Sequence, residues 1–142
     1  MDADGLVREL ADRFRAVVPP GFRVAVGSGG VVRFSCDEGR FPGQLGDFQP
    51  GTAGTRLRSN LVDVPGSPVE RVEAAARQAL DDLQDYVDEV SHQPWPGVRR
   101  PPSARAQVRR GLLHCWYEAG DRVVLELDPV PLGGLLSPVG DA

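Results

Sequence analysis

A chain of 142 residues with 41% hydrophobic and 25% charged residues has the length and balance of one soluble globular domain, which sets aside disorder along the whole chain. Its formal net charge of -4 weighs against non-specific nucleic-acid binding by the domain as a whole. The start, MDADGLVREL, is acidic and amphipathic, and no apolar run approaches the roughly 18–20 residues of a membrane helix, so neither a secretory leader nor a span is expected.

All 16 basic side chains are arginines, and isoleucine is absent as well. A GC-rich coding sequence produces that bias, and it lowers the diagnostic value of any single arginine. Cys36 and Cys115 are too few and too far apart for a disulfide scaffold or a zinc site, so the expectation is a cytoplasmic protein with two reduced thiols.

In chain order, Leu6, Val7, Leu10, Phe14 and Val17 recur at helical spacing between Asp4, a candidate cap, and the stop at Pro19-Pro20. FRVAV and VVRFSC, joined by GSGG, read as a hairpin with Phe22, Val24, Val26, Val32 and Phe34 on one face. Residues 37–54 are rich in glycine and proline and read as a long loop, and Thr55–Val64 partly alternates and reads as a third strand. SPVE then sets a capping box: Ser67 at the N-cap, Pro68 at the first helical position, Glu70 three residues on. The amphipathic helix that follows runs to about Val90 and stops at HQPWPG.

Residues 94–104 open a proline- and arginine-rich connector. Beyond it, GLLHCWYE and RVVLELD flank a turn at AGD and form a second hairpin. Alternation puts Leu112, His114 and Trp116 opposite Leu113, Cys115 and Tyr117, and groups Val123 with Leu125 and Leu127. Which set faces the core stays open. The tail, 133–142, reads as a short helical turn followed by fraying. The expectation for 1–142 is a single α+β domain in two layers, an antiparallel sheet of about five strands with helices on one face, in the order α-β-β-β-α-β-β.

Several groups invite a chemical reading. His114 and Cys115 are neighbours in a strand, so their side chains point to opposite faces and do not form a nucleophile–base pair. Asp81, Asp85 and Glu89 share a helix face at spacing four; such a row is usually solvated, and no metal or other cofactor is expected. Acids crowd the end of the long helix, whereas Arg99, Arg100, Arg105, Arg109 and Arg110 follow within a short stretch. Either the basic segment folds back over the acidic helix end, or that end is a partner surface involving Asp85 and Glu89. Trp95, held between prolines in PWPG, either caps the core or offers a rigid contact to a partner. GSGG and GTAGT lack the strand–loop–helix setting and the lysine of a phosphate loop.

The element order, small size and acidity resemble the secretion-chaperone-like α+β fold. That resemblance implies a protein that forms dimers and binds other polypeptides. The leading expectation is therefore a non-enzymatic, cytoplasmic protein-binding module, a chaperone, adaptor or immunity-type partner, able to homodimerise. The alternative is a small-molecule or enzymatic domain with a pocket under the 37–54 loop, lined by His114, Tyr117 and arginines. A third reading, nucleic-acid binding through Arg99–Arg110, lacks a recognition helix and interleaved aromatics.

Overall fold

A computed structural model describes residues 2–36, 53–91, 95–96 and 102–136. The expected 37–54 loop lies outside the described residues except for 53 and 54, as does the tail beyond 136. Helix α1 spans Ala3–Val17 and buries Leu6, Val7, Leu10, Ala11 and Phe14. Its cap is Asp2 rather than Asp4: the Asp2 carboxylate accepts the Gly5 N–H at 2.7 Å, and that bond holds it below its ordinary acidity range. Strands β1 (Phe22–Gly27) and β2 (Val31–Cys36) pair from Phe22↔Cys36 to Gly27↔Val31. Phe22, Val24, Val32 and Phe34 enter the core, whereas Val26, next to the turn, is 42% exposed.

The segment expected as a third strand over 55–64 divides instead. Strand β3 covers only Ala53–Thr55 and pairs with β2, and helix α2 takes Leu57–Asp63. Leu57 and Leu61 are both buried. A spacing of four fits either a strand or a helix, which is why alternation misled here. The helical choice turns both leucines to one side, against α1 and α3, while the Gly30 carbonyl accepts the Arg58 N–H.

Helix α3, Pro68–Ser91, begins with the expected capping box. The Glu70 N–H donates to Ser67 Oγ at 3.2 Å, and the Ser67 N–H donates to Glu70 Oε1 at 3.1 Å. Its apolar face, including Val72, Ala76, Ala79, Leu83, Tyr86 and Val90, is buried. Tyr86 stacks edge-on to Phe22 at 5.9 Å and tilted to Phe34 at 6.0 Å, which seats α3 on the first sheet.

The second sheet departs from expectation. The connector ends sooner than its composition suggests, because Ser103–Arg109 is a strand, β4. It pairs with β5 (Leu112–Ala119) from Ser103↔Glu118 to Arg109↔Leu112, closed by Arg110 and Gly111. Both turn residues have positive φ, 53° and 76°, the backbone a type I′ turn needs. Strand β6 (Arg122–Glu126) and the short β7 (Val130–Pro131) also pair with β5, and Gly133–Leu136 forms a 3-10 turn. Among the described residues there are thus seven strands in a three-stranded and a four-stranded antiparallel sheet, where about five in one sheet had been expected. The architecture remains α+β in two layers, and α3 touches strands of both sheets.

Polar atoms fix how the second sheet meets α3. Gln84, only 7% exposed, donates through Nε2 to the carbonyls of Trp95 (3.1 Å) and Pro102 (2.9 Å), the two ends of the connector. The fully buried Tyr117 donates its hydroxyl to the Leu80 carbonyl at 2.6 Å, and burial raises its pKa well above the ordinary phenol value. Glu73 accepts the Val108 N–H at 2.8 Å, closing an amide of the edge strand β4. Removing the Gln84 amide strands two carbonyls, so Gln84→Leu should cost about 2–3 kcal/mol in urea unfolding, against under about 0.5 for the exposed Gln78→Leu. Ser67→Ala should cost about 1 kcal/mol through the lost cap, read from the same unfolding curves.

Candidate functional site

The register of β5 settles which residues could act. Leu113, Cys115 and Tyr117 are buried under α3, and Leu112, His114 and Trp116 lie on the opposite, outer face, each half-buried. His114 and Tyr117 are therefore not brought together: one is paired across from Gln107 on the outer face, the other hydrogen-bonds inside the core. Cys115 is 1% exposed, and burial pushes its thiol up to about 12. A thiol so placed is neutral at physiological pH and is no nucleophile. It should stay unmodified by a thiol reagent at mildly alkaline pH in native protein and react in urea, with mass spectrometry locating the label.

Trp95 is half-buried at the end of α3, edge-on to the Tyr117 ring at 5.3 Å. Its backbone N–H donates to Asp88 Oδ1 at 2.7 Å, and its carbonyl accepts from Gln84. Burial raises the pKa of Asp81 and of Asp88; Asp85 adds to both, Arg77 opposes at Asp81 and the Trp95 backbone N–H opposes at Asp88. Of the connector, Trp95 and Pro102 are held against the acidic half of α3 through these backbone contacts. Arg105 is not part of that contact, since its ion pair runs to Glu118 at 3.6 Å, and Asp85 and Glu89 face outward, exposed. Arg99 and Arg100 lie outside the described residues. Among the described residues no group of three His, Cys, Asp or Glu side chains converges as a metal site requires.

A cleft of about 630 Å³ lies between α1, the β1–β2 turn and α2. Asp4, Arg8, Asp12, Arg15 and Arg58 line it, and its charges are largely matched: Arg58 to Asp4 at 3.5 Å, and Arg15 to Asp12 and to the Val24 carbonyl. Among the described residues its lining holds no histidine, cysteine or hydroxyl, and its two carboxylates, Asp4 and Asp12, are each paired with an arginine.

The remaining feature is the outer face of the second sheet. On β4, Ser103, Arg105, Gln107 and Arg109 are exposed while Ala104 is buried. The ladder pairs Arg105 with Trp116 and Trp116 with Glu126. The Trp116 Nε1–H donates to Glu118 Oε1 at 2.8 Å, and Glu118 in turn pairs with Arg105. At Val124 the ladder slips by one residue, so Val123, opposite Glu118, joins the outer face and is 54% exposed, instead of sharing a face with Leu125 and Leu127 as plain alternation predicts. The outer face thus carries Leu112, His114 and Trp116 along β5, with Arg109 and Arg105 beside them on β4, Glu126 beside Trp116 on β6, and Glu118 and Val123 paired at the end next to the β5–β6 turn.

Sequence reasoning singled out Trp95 and passed over Trp116. The signal was present in SARAQVR, whose alternation of small and polar residues, carried across the Arg110–Gly111 turn, puts Trp116 on the arginine side. Comparison of the chain with protein-family models, curated proteins and solved structures found no match, so the reading of this protein rests on its own surface.

Proposed function

We propose that this chain is a small, non-enzymatic protein-binding module, working in the cytoplasm, that receives another polypeptide on the outer face of its second sheet. One observation carries the reading: a tryptophan, a leucine, a histidine and an exposed valine lie together on a face bordered by both signs of charge. An apolar, aromatic centre inside a charged border is the make-up of protein interfaces, where tryptophan contributes disproportionately to binding. Two cysteines that form no disulfide fit a reducing compartment.

The same face weakens the nucleic-acid reading. Arg105 and Arg109 project from a strand, and Glu118 and Glu126 share their surface, where they would repel phosphate. For the small-molecule reading, His114 and Tyr117 point to opposite sides of β5 and so do not line one pocket together, and residues 37–52 of its loop lie outside the described residues.

Affinity capture from the cognate lysate at moderate salt tests the proposal, with Trp116→Thr beside the wild type and Val62→Ala, on the exposed side of α2, as control. All three should melt cooperatively, with Trp116→Thr somewhat below the other two because its half-buried ring and the bond to Glu118 are lost. Polypeptides retained by the wild type and by Val62→Ala but lost with Trp116→Thr are the expected result. Identical retention by all three proteins, or recovery of nucleic acid alone and only at low salt, would overturn it.

A further inference from the structure

We infer that the cleft between α1, the β1–β2 turn and α2 binds a small organic monocarboxylate, a carboxylate carried on a compact apolar body, with Arg8 as its anchor. No described side chain belongs both to this cleft and to the outer face of the second sheet, so the two sites stand or fall separately.

Asp4, Arg8 and Asp12 follow one another along α1 at spacing four. Arg8 thus has an acid one turn away on each side, the spacing at which a helix pairs opposite charges. Both acids are taken by other arginines. Asp4 pairs with Arg58 of α2 at 3.5 Å, and Asp12 pairs with Arg15, whose Nε donates to the Val24 carbonyl. Arg8, exposed in the cleft, makes neither a hydrogen bond nor an ion pair among the described residues, and it acts on the Asp2 carboxylate only through space. A free guanidinium presents a planar fork of N–H donors that fits the two oxygens of a carboxylate. Three guanidiniums and two carboxylates line the cleft among the described residues, which leaves one positive charge. A single carboxylate neutralises it. A phosphate monoester brings close to two negative charges at neutral pH, and the excess would lie against Asp4 and Asp12.

The rest of the wall suits an apolar body. Val26 has the strand parity of Phe22 and Val24, yet it is 42% exposed, because it stands at the cleft and not over the core. Val7 adds a second branched side chain to the lining. The turn's share of the wall is bare backbone at Gly27, Gly29 and Gly30. Gly30 is required by packing as well as by its φ of 74°, since a Cβ there would overlap the Arg58 Cβ. That close approach, with the Arg58 N–H on the Gly30 carbonyl at 3.2 Å, brings Arg58 within reach of Asp4 and so leaves Arg8 unpaired. At about 630 Å³ the cleft lies within the range of small-ligand sites, roughly 300–1,000 Å³.

Titrating phenylacetate into isotope-labelled protein, read by amide chemical shifts, tests the site. Saturable shifts centred on Arg8, Val26, Gly29 and Gly30 are the expected result. Arg8→Gln should weaken binding about tenfold or more, the loss of a hydrogen-bonded charge pair, and phenylacetamide, equal in shape but uncharged, should bind the wild type weaker by a similar factor. Arg8 is exposed, so unchanged melting of Arg8→Gln separates lost binding from lost folding. No saturable shift with phenylacetate, shifts centred elsewhere, or equal binding of the amide would each overturn the inference. So would inorganic phosphate binding as tightly as phenylacetate, or an Arg8→Gln variant that binds like the wild type. Trp116→Thr should bind phenylacetate as the wild type does, which keeps this result distinct from the capture experiment; loss of binding in that variant would overturn the assignment to the cleft.

Discussion

The two hydrogen bonds from Gln84 are the constraint on which the second half of the molecule depends. A helix that buries a polar side chain must satisfy it, and Gln84 does so with the carbonyls of Trp95 and Pro102, on either side of the connector. Those bonds fix where the chain enters β4. Once β4 starts at Ser103 and the Arg110–Gly111 turn allows no slack, every pairing of the second hairpin follows, and Tyr117 falls where its hydroxyl reaches the Leu80 carbonyl. A shift of one residue would exchange the two faces of β5, bringing His114 and Trp116 under the helix and leaving the Tyr117 position outside. The outer patch is thus a consequence of how a buried amide on α3 is satisfied.

The two sheets share α3 but bind it by different means. The first sheet meets it through rings, Phe22 and Phe34 against Tyr86. Such contacts stabilise without demanding one register. The second sheet meets it through directed bonds, Gln84 to the Pro102 carbonyl, the Val108 N–H to Glu73 and the Tyr117 hydroxyl to the Leu80 carbonyl, each of which fails if the strand moves. The candidate surface sits on the sheet whose position is defined by hydrogen bonds, which gives its side chains fixed places.

Local chemistry was the legible part of the sequence. The Ser67–Glu70 box, the proline stops and the hairpin around Gly120 are short-range signals, and each lies where the residues put it. Elements that depend on distant partners were not legible. SARAQVR carries two arginines and follows prolines, so its composition reads as a linker; only pairing with β5 makes it a strand. Leu57 and Leu61 satisfy both periods, and the contacts of α2 with α1 and α3 decide between them. Of the candidate residues, Asp85 and Glu89 lie exposed on α3 and His114 and Tyr117 lie on opposite faces of β5, while placing Trp116 on the outer face requires the alternation of SARAQVR carried across the Arg110–Gly111 turn.

The closed strand edges bear on how the chain behaves in quantity. An assembly that grows by an edge presents a fresh edge after each addition and has no natural size, whereas one that uses a face is complete once the face is filled. With an amide of β4 held by Glu73, the Val24 carbonyl of the edge strand β1 held by Arg15, and β6 twisted by its extra residue, those edges are poor templates for strand-by-strand growth. A chain so arranged can be abundant without seeding fibres, even with an apolar patch on display.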